Sequence, residues 1–159
     1  MHLSRRRLLI AAGVPVGLGL LAGCGTQTPL PQAVEVKPSA PEAADENLLD
    51  EFGLIGAYLG VIAEFPKLRG TLSAIAEQHR AHARELGATE EQLAAIEPIA
   101  SDASRQGPAI TGLISRERAA ADMRADGAIR ATTPDQVRAL TFIAASETSH
   151  VPELRDLRP

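Results

Sequence analysis

Glu147-Thr148-Ser149-His150 and His79-Arg80-Ala81-His82 each place two lone-pair donors three residues apart, a spacing that stacks them on one face of a helix. Both pairs interrupt apolar stripes. Leu68, Leu72, Ile75, His79, His82 and Leu86 recur at intervals of three and four, as do Leu140, Ile143, Glu147, His150, Leu154 and Leu157. Two further stripes carry one carboxylate each. They are Leu48, Glu51, Ile55, Tyr58 and Ile62, and Ile110, Leu113 or Ile114, Glu117, and Ala120 or Ala121. A shift of register would bring Asp50 or Glu46 inward in place of Glu51. A buried carboxylate without a partner is costly and otherwise takes up a proton. Ionisable groups on all four inward faces therefore point to a shared partner at the centre. A divalent transition metal (iron, manganese, zinc or copper) is one such partner, because Glu oxygens and neutral imidazole nitrogens ligate these ions. The alternative is a metal-free network in which the Glu and His side chains hydrogen-bond to each other. Tyr58 reads as a packing residue with a satisfied hydroxyl rather than a redox or outer-sphere group. Asp122, Arg124 and the C-terminal charges read as solvated faces.

Four long helices must carry these stripes. The remainder of the chain after about residue 45 is rich in Ala, Leu, Glu and Arg and shows no sustained period-two alternation, so it reads as all-α. The pattern predicts a first helix over residues 45–65, stopping before Pro66, and a second over 68–86, closing on Gly87. A third is expected over 108–126, ending at Gly127. Thr133-Pro134-Asp135-Gln136 opens the fourth, with Thr133 as N-cap, Pro134 in the first turn and Gln136 at the capping-box position. Between the second and third helices, residues 88–107 include a short capped helix that starts Thr89-Glu90-Glu91-Gln92 and ends near Pro98. Short, long and short connections describe two antiparallel pairs joined by one crossover, with an irregular helical domain as the alternative.

On these residues the chain resembles ferritin-like di-metal four-helix bundles, which place a Glu on helices one and three and a Glu-x-x-His pair on helices two and four. Glu147 and His150 match the fourth-helix pair, and Glu117 matches the third-helix Glu. His79 and His82 sit where the second-helix pair belongs, with Glu51 ahead of them. Across residues 45–159 the chain is also similar to ferritin-like actinobacterial lipoproteins. The resemblance implies a ferritin-like four-helix bundle with one long crossover between helices 2 and 3. It also implies a metal held by Glu51, His79, His82, Glu117, Glu147 and His150, with Glu147 as the bridge if two ions bind. One departure stands out: His79 occupies a position that the family fills with a bridging Glu, and a neutral imidazole offers a single lone pair. One ion, or an asymmetric site, is therefore as compatible with the set as two.

The N-terminus carries a second resemblance. Ser4-Arg5-Arg6-Arg7-Leu8-Leu9 resembles a twin-arginine export signal, and Leu21-Ala22-Gly23-Cys24 resembles the lipobox of bacterial lipoproteins. The apolar run between them is interrupted by Gly13, Pro15, Gly17 and Gly19 and is short of the ~20 residues a membrane span needs. The resemblance implies cleavage of residues 1–23 and lipid attachment at Cys24, the chain's one cysteine, with export by the twin-arginine or the general secretory route. Residues 24–44 hold Pro29, Pro31, Pro38 and Pro41 among small and polar residues and read as an extended tether. The expected location is the cell membrane, lipid-anchored on the extracytoplasmic side, with the membrane as partner and any protein partner unspecified.

Composition narrows the function classes. Loss of Arg5, Arg6 and Arg7 from 16 basic residues leaves 13 against 20 acidic ones, a net charge of −7. An acidic exported body argues against nucleic acid as a partner. A single cysteine rules out a disulfide framework and a thiolate cluster. No nucleophile elbow or phosphate loop is present, so an enzyme without metal is the weakest reading. Two readings remain: a metal-binding ferritin-like lipoprotein, and a metal-free scaffold or protein-interaction lipoprotein with a Glu–His core.

Overall fold

Local sequence accounts for most helix boundaries in the computed structural model, which describes residues 42–159. The signal segment, Cys24 and nearly all of the tether lie outside the described residues. Helix α1 spans Glu42–Glu64 and stops ahead of Pro66, which opens a single 3₁₀ turn over Pro66–Leu68. Helix α2 spans Arg69–Glu85. It closes on Gly87 at φ 101°; Gly87 N–H donates to Arg84 O at 3.0 Å and Ala88 N–H to Ala83 O at 2.8 Å, the paired bonds of a Schellman stop. Helix α3 is short, Glu90–Ala94, and begins with a full capping box: Gln92 N–H donates to Thr89 Oγ1 and Thr89 N–H to Gln92 Oε1. Helix α4 spans Gln106–Arg130 and α5 spans Pro134–Asp156. Thr133 caps α5 by accepting from Gln136 N–H. Pro152 lies within α5, one turn from its end.

Helix α1 begins at Glu42, three residues into the expected tether, and two later boundaries differ by four residues. Helix α4 runs through Gly127 instead of ending there, because that glycine serves close packing: a Cβ would sit 3.2 Å from Leu140 Cδ1 and 3.8 Å from Asn47 Nδ2. Helix α3 ends at Ala94, well before Pro98. The chain beyond it is drawn across α1, where Ile99 N–H donates to Gly56 O at 2.8 Å. Contact is so close that a Cβ on Gly60 would lie 1.8 Å from Ile99 O. The sequence-predicted third and fourth helices are thus α4 and α5.

Over the described residues the fold is all-α: five α-helices and no strand. Helix α1 packs on α2, α4 packs on α5, α1 also touches α4, and α2 touches α5 more sparingly. Tyr58, Ile62, Leu72, Ile75, Ile110, Leu113 and Leu154 belong to one apolar cluster. These come from the C-terminal halves of α1 and α5 and the N-terminal halves of α2 and α4. A polar layer holds Asn47, Glu51, His79, Glu117, Arg124, Glu147 and His150, and a second apolar cluster gathers Ile55, Ala83 and Leu93. Each fully buried aliphatic side chain contributes about 1.5–3 kcal/mol, so the apolar clusters supply the stability that the polar layer draws on. Among the described residues no helix is long and apolar enough to cross a membrane.

Candidate metal centre

Helical spacing delivers all six sequence-predicted side chains to the polar layer. Glu51 comes from α1, His79 and His82 from α2, Glu117 from α4, and Glu147 and His150 from α5. Five are fully buried; the His82 side chain retains 14% exposure. Of the rivals to Glu51, Glu46 is exposed and Asp50 half-buried.

His79 is the hub. Its Nδ1 lies 2.8 Å from Glu51 Oε2 and its Nε2 lies 2.9 Å from Glu117 Oε1. Glu117 also receives the Tyr58 hydroxyl on Oε1, and His150 Nδ1 stands 3.1 Å from its Oε2. The far nitrogen of His150, Nε2, lies 3.1 Å from Gln78 Oε1. His82 Nδ1 approaches Glu51 Oε1 at 3.6 Å, too far for a hydrogen bond, and has no other partner. The ligating atoms form two sets that share His79: Glu51, His79 and His82 on one side, and His79, Glu117 and His150 on the other, each within 4.8 Å. Glu147 belongs to neither set. Both of its carboxylate oxygens are buried without a hydrogen bond.

Arg124 corrects the sequence reading most sharply. Expected on a solvated face, it is completely buried. Its NH1 donates to Asn47 Oδ1 at 3.0 Å, and its NH2 donates to Asp50 Oδ2 at 2.9 Å and to Glu51 Oε1 at 3.4 Å. Its Nε faces Glu147 Oε1 at 3.6 Å. The signal was present in the sequence. Arg124 follows Glu117 by seven residues, two turns along the same stripe. Tyr58 bears the same relation to Glu51, and its hydroxyl is satisfied as expected, but the acceptor is a candidate ligand. Asp122, Arg116 and Arg118 are exposed.

Protonation follows from burial and these contacts. Burial raises the Glu51 and Glu117 carboxyls, yet hydrogen bonds from His79, and for Glu117 also from His150, outweigh it and hold both at about 2. Burial lowers the His79 imidazole, but its bonds to Glu117 and Glu51 prevail and raise it to about 9. Glu147 goes the other way: burial, with the charges of Glu51 and Glu117, lifts it to about 8 despite Arg124. Tyr58 is pushed above its ordinary 10.0 by burial and by the Glu117 charge. Near neutral pH, therefore, His79 is held as the imidazolium between the Glu51 and Glu117 carboxylates, and Glu147 keeps its proton.

A transition ion fits the Glu117 side of this layer. With a proton on Nδ1 donated to Glu51, the His79 lone pair is on Nε2. With a proton on Nε2 donated to Gln78, the His150 lone pair is on Nδ1. Both lone pairs would then face the Glu117 carboxylate, and a cation among them would satisfy all three groups. Two imidazoles and one carboxylate are a donor set suited to zinc, iron or copper. No family model, curated protein or solved structure matches the chain.

Proposed function

We propose that the chain is an exported lipoprotein, held on the extracytoplasmic side of the cell membrane by lipid on Cys24, whose ferritin-like domain binds a transition metal. In this reading α1, α2, α4 and α5 form the four-helix bundle, and the stretch from Leu86 to Arg105 is its one long crossover. His79 Nε2, Glu117 and His150 Nδ1 hold the ion. Glu51 and Gln78 orient the two imidazoles, and Tyr58 orients Glu117. The carrying observation is that both imidazoles are tied at their outer nitrogens, 2.8 Å from Glu51 and 3.1 Å from Gln78, and turn their other nitrogens on one carboxylate.

One observation favours the second reading, a metal-free scaffold: a doubly protonated His79 bridges Glu51 and Glu117 with good hydrogen-bond lengths by itself. Elemental analysis separates the two. The full chain is extracted from membranes and purified without a metal-affinity column. Stoichiometric metal, lost in His150→Ala, supports the metal site. A folded chain that is metal-free and takes up no iron, manganese, zinc or copper when offered them leaves the scaffold.

A further inference from the structure

The polar layer has two sets of ligating atoms but already holds one cation of its own. We infer that Arg124 stands in for a second metal ion and so fixes the centre at one ion per chain. This rests on the metal-binding reading and adds its nuclearity. A second ion would have to use the other set, in which Glu51 and His82 stand beside His79. The Arg124 guanidinium lies against the carboxylate of that set, 3.4 Å from Glu51 Oε1, and also 3.6 Å from Glu147 Oε1. It is fully buried and anchored from behind by Asn47 and Asp50 at 3.0 and 2.9 Å, so it has no solvent into which to withdraw.

Charge and ligand count agree with that geometry. The three carboxylates that are fully buried, Glu51, Glu117 and Glu147, are neutralised by one dication and the guanidinium together. A second dication would leave a surplus of two positive charges away from water, where such an excess is heavily penalised. His79 decides which side the single ion takes, because its neutral ring has one lone pair. That side is the one opposite Arg124, since His79 Nδ1 already faces the Glu51 carboxylate that the guanidinium also touches.

The test counts ions. Zn(II) is offered to the chelator-stripped full chain and to Arg124→Met and Arg124→Gln. Bound zinc is measured by elemental analysis after desalting, and folding is verified by circular dichroism. The same chains are loaded with Mn(II) and examined by electron paramagnetic resonance for coupling between neighbouring ions. One ion in the wild type, rising to two in a folded Arg124 variant with Mn–Mn coupling, is the expected result. Two ions in the wild type would overturn the inference while leaving the metal site intact. So would a folded Arg124 variant that still holds one. Because the wild-type count is decisive without any variant, misfolding of Arg124→Met does not protect the idea. No ion in the wild type removes the underlying reading, and the inference with it.

Discussion

Three side chains, Tyr58, His79 and His150, converge on the two oxygens of Glu117, and that load sets how the centre answers substitution. Glu117→Gln leaves both imidazoles facing an amide and strands a buried positive charge, so a loss of about 3–5 kcal/mol is expected in urea denaturation of the metal-free chain. Tyr58→Phe removes one hydrogen bond of the three and should cost about 1 kcal/mol. The pH dependence has a definite sign. Glu147 is raised from 4.5 to about 8 and His79 from 6.5 to about 9, so the folded chain binds more protons than the unfolded one across those windows. Stability of the metal-free chain should therefore fall as pH rises from 4.5 to 9. It should also fall in acid, from 4.5 towards 2, as Glu51 and Glu117 are forced to protonate. Urea midpoints measured with chelator across this range check both limbs, and Glu147→Gln should flatten the part between 4.5 and 8. Uptake of one divalent ion near neutral pH should expel about two protons, from His79 and Glu147, measurable by calorimetry in buffers of different ionisation enthalpy. At this scale the sequence was highly legible, because a three-and-four periodicity is enough to turn Glu51, His79, Glu117, Glu147 and His150 inward. Arg124 escaped because a lone arginine in a charged segment resembles a solvated one; only its seven-residue offset from Glu117 betrays it.

Element boundaries were legible where chemistry is local and obscure where it is not. The Thr89 and Thr133 caps and the Gly87 stop are set by residues within a few positions and all three form, although at Thr133 only the Gln136 N–H half of the expected capping box is made. Thr133→Ala should lower stability by about 1 kcal/mol. The path of the chain after α3 depends on a backbone contact with a helix some forty residues earlier, which no local pattern announces. Gly56 and Gly60 exist for that contact, and a matched pair of substitutions exposes it. Gly60→Ala drives a methyl into Ile99 O and should cost about 1–3 kcal/mol or displace the crossover. Gly53→Ala, on the same helix with nothing within 4 Å of the new methyl, should instead stabilise by about 0.5–1 kcal/mol. Thermal denaturation of both variants under one condition provides the comparison.

Over the described residues the interior combines two apolar clusters with a layer of buried Glu, His and Arg side chains. That arrangement follows from the order of residues along each stripe: Glu51 precedes Ile62 on α1, and His79 follows Leu72 on α2, as antiparallel neighbours require. The proposed lipoprotein would also be tied to the membrane through one atom, so Cys24→Ser should move the chain from the membrane to the soluble fraction, as immunoblots of fractionated cells would reveal. The polar layer includes the acceptor of the chain's one tyrosine, and the chain has no tryptophan. Near-ultraviolet absorption and emission from aromatic hydroxyls thus arise from a single ring that touches Glu117. Every event at that carboxylate, whether an arriving ion, a proton or the loss of the fold, alters the light from Tyr58, and the molecule can be watched without a label.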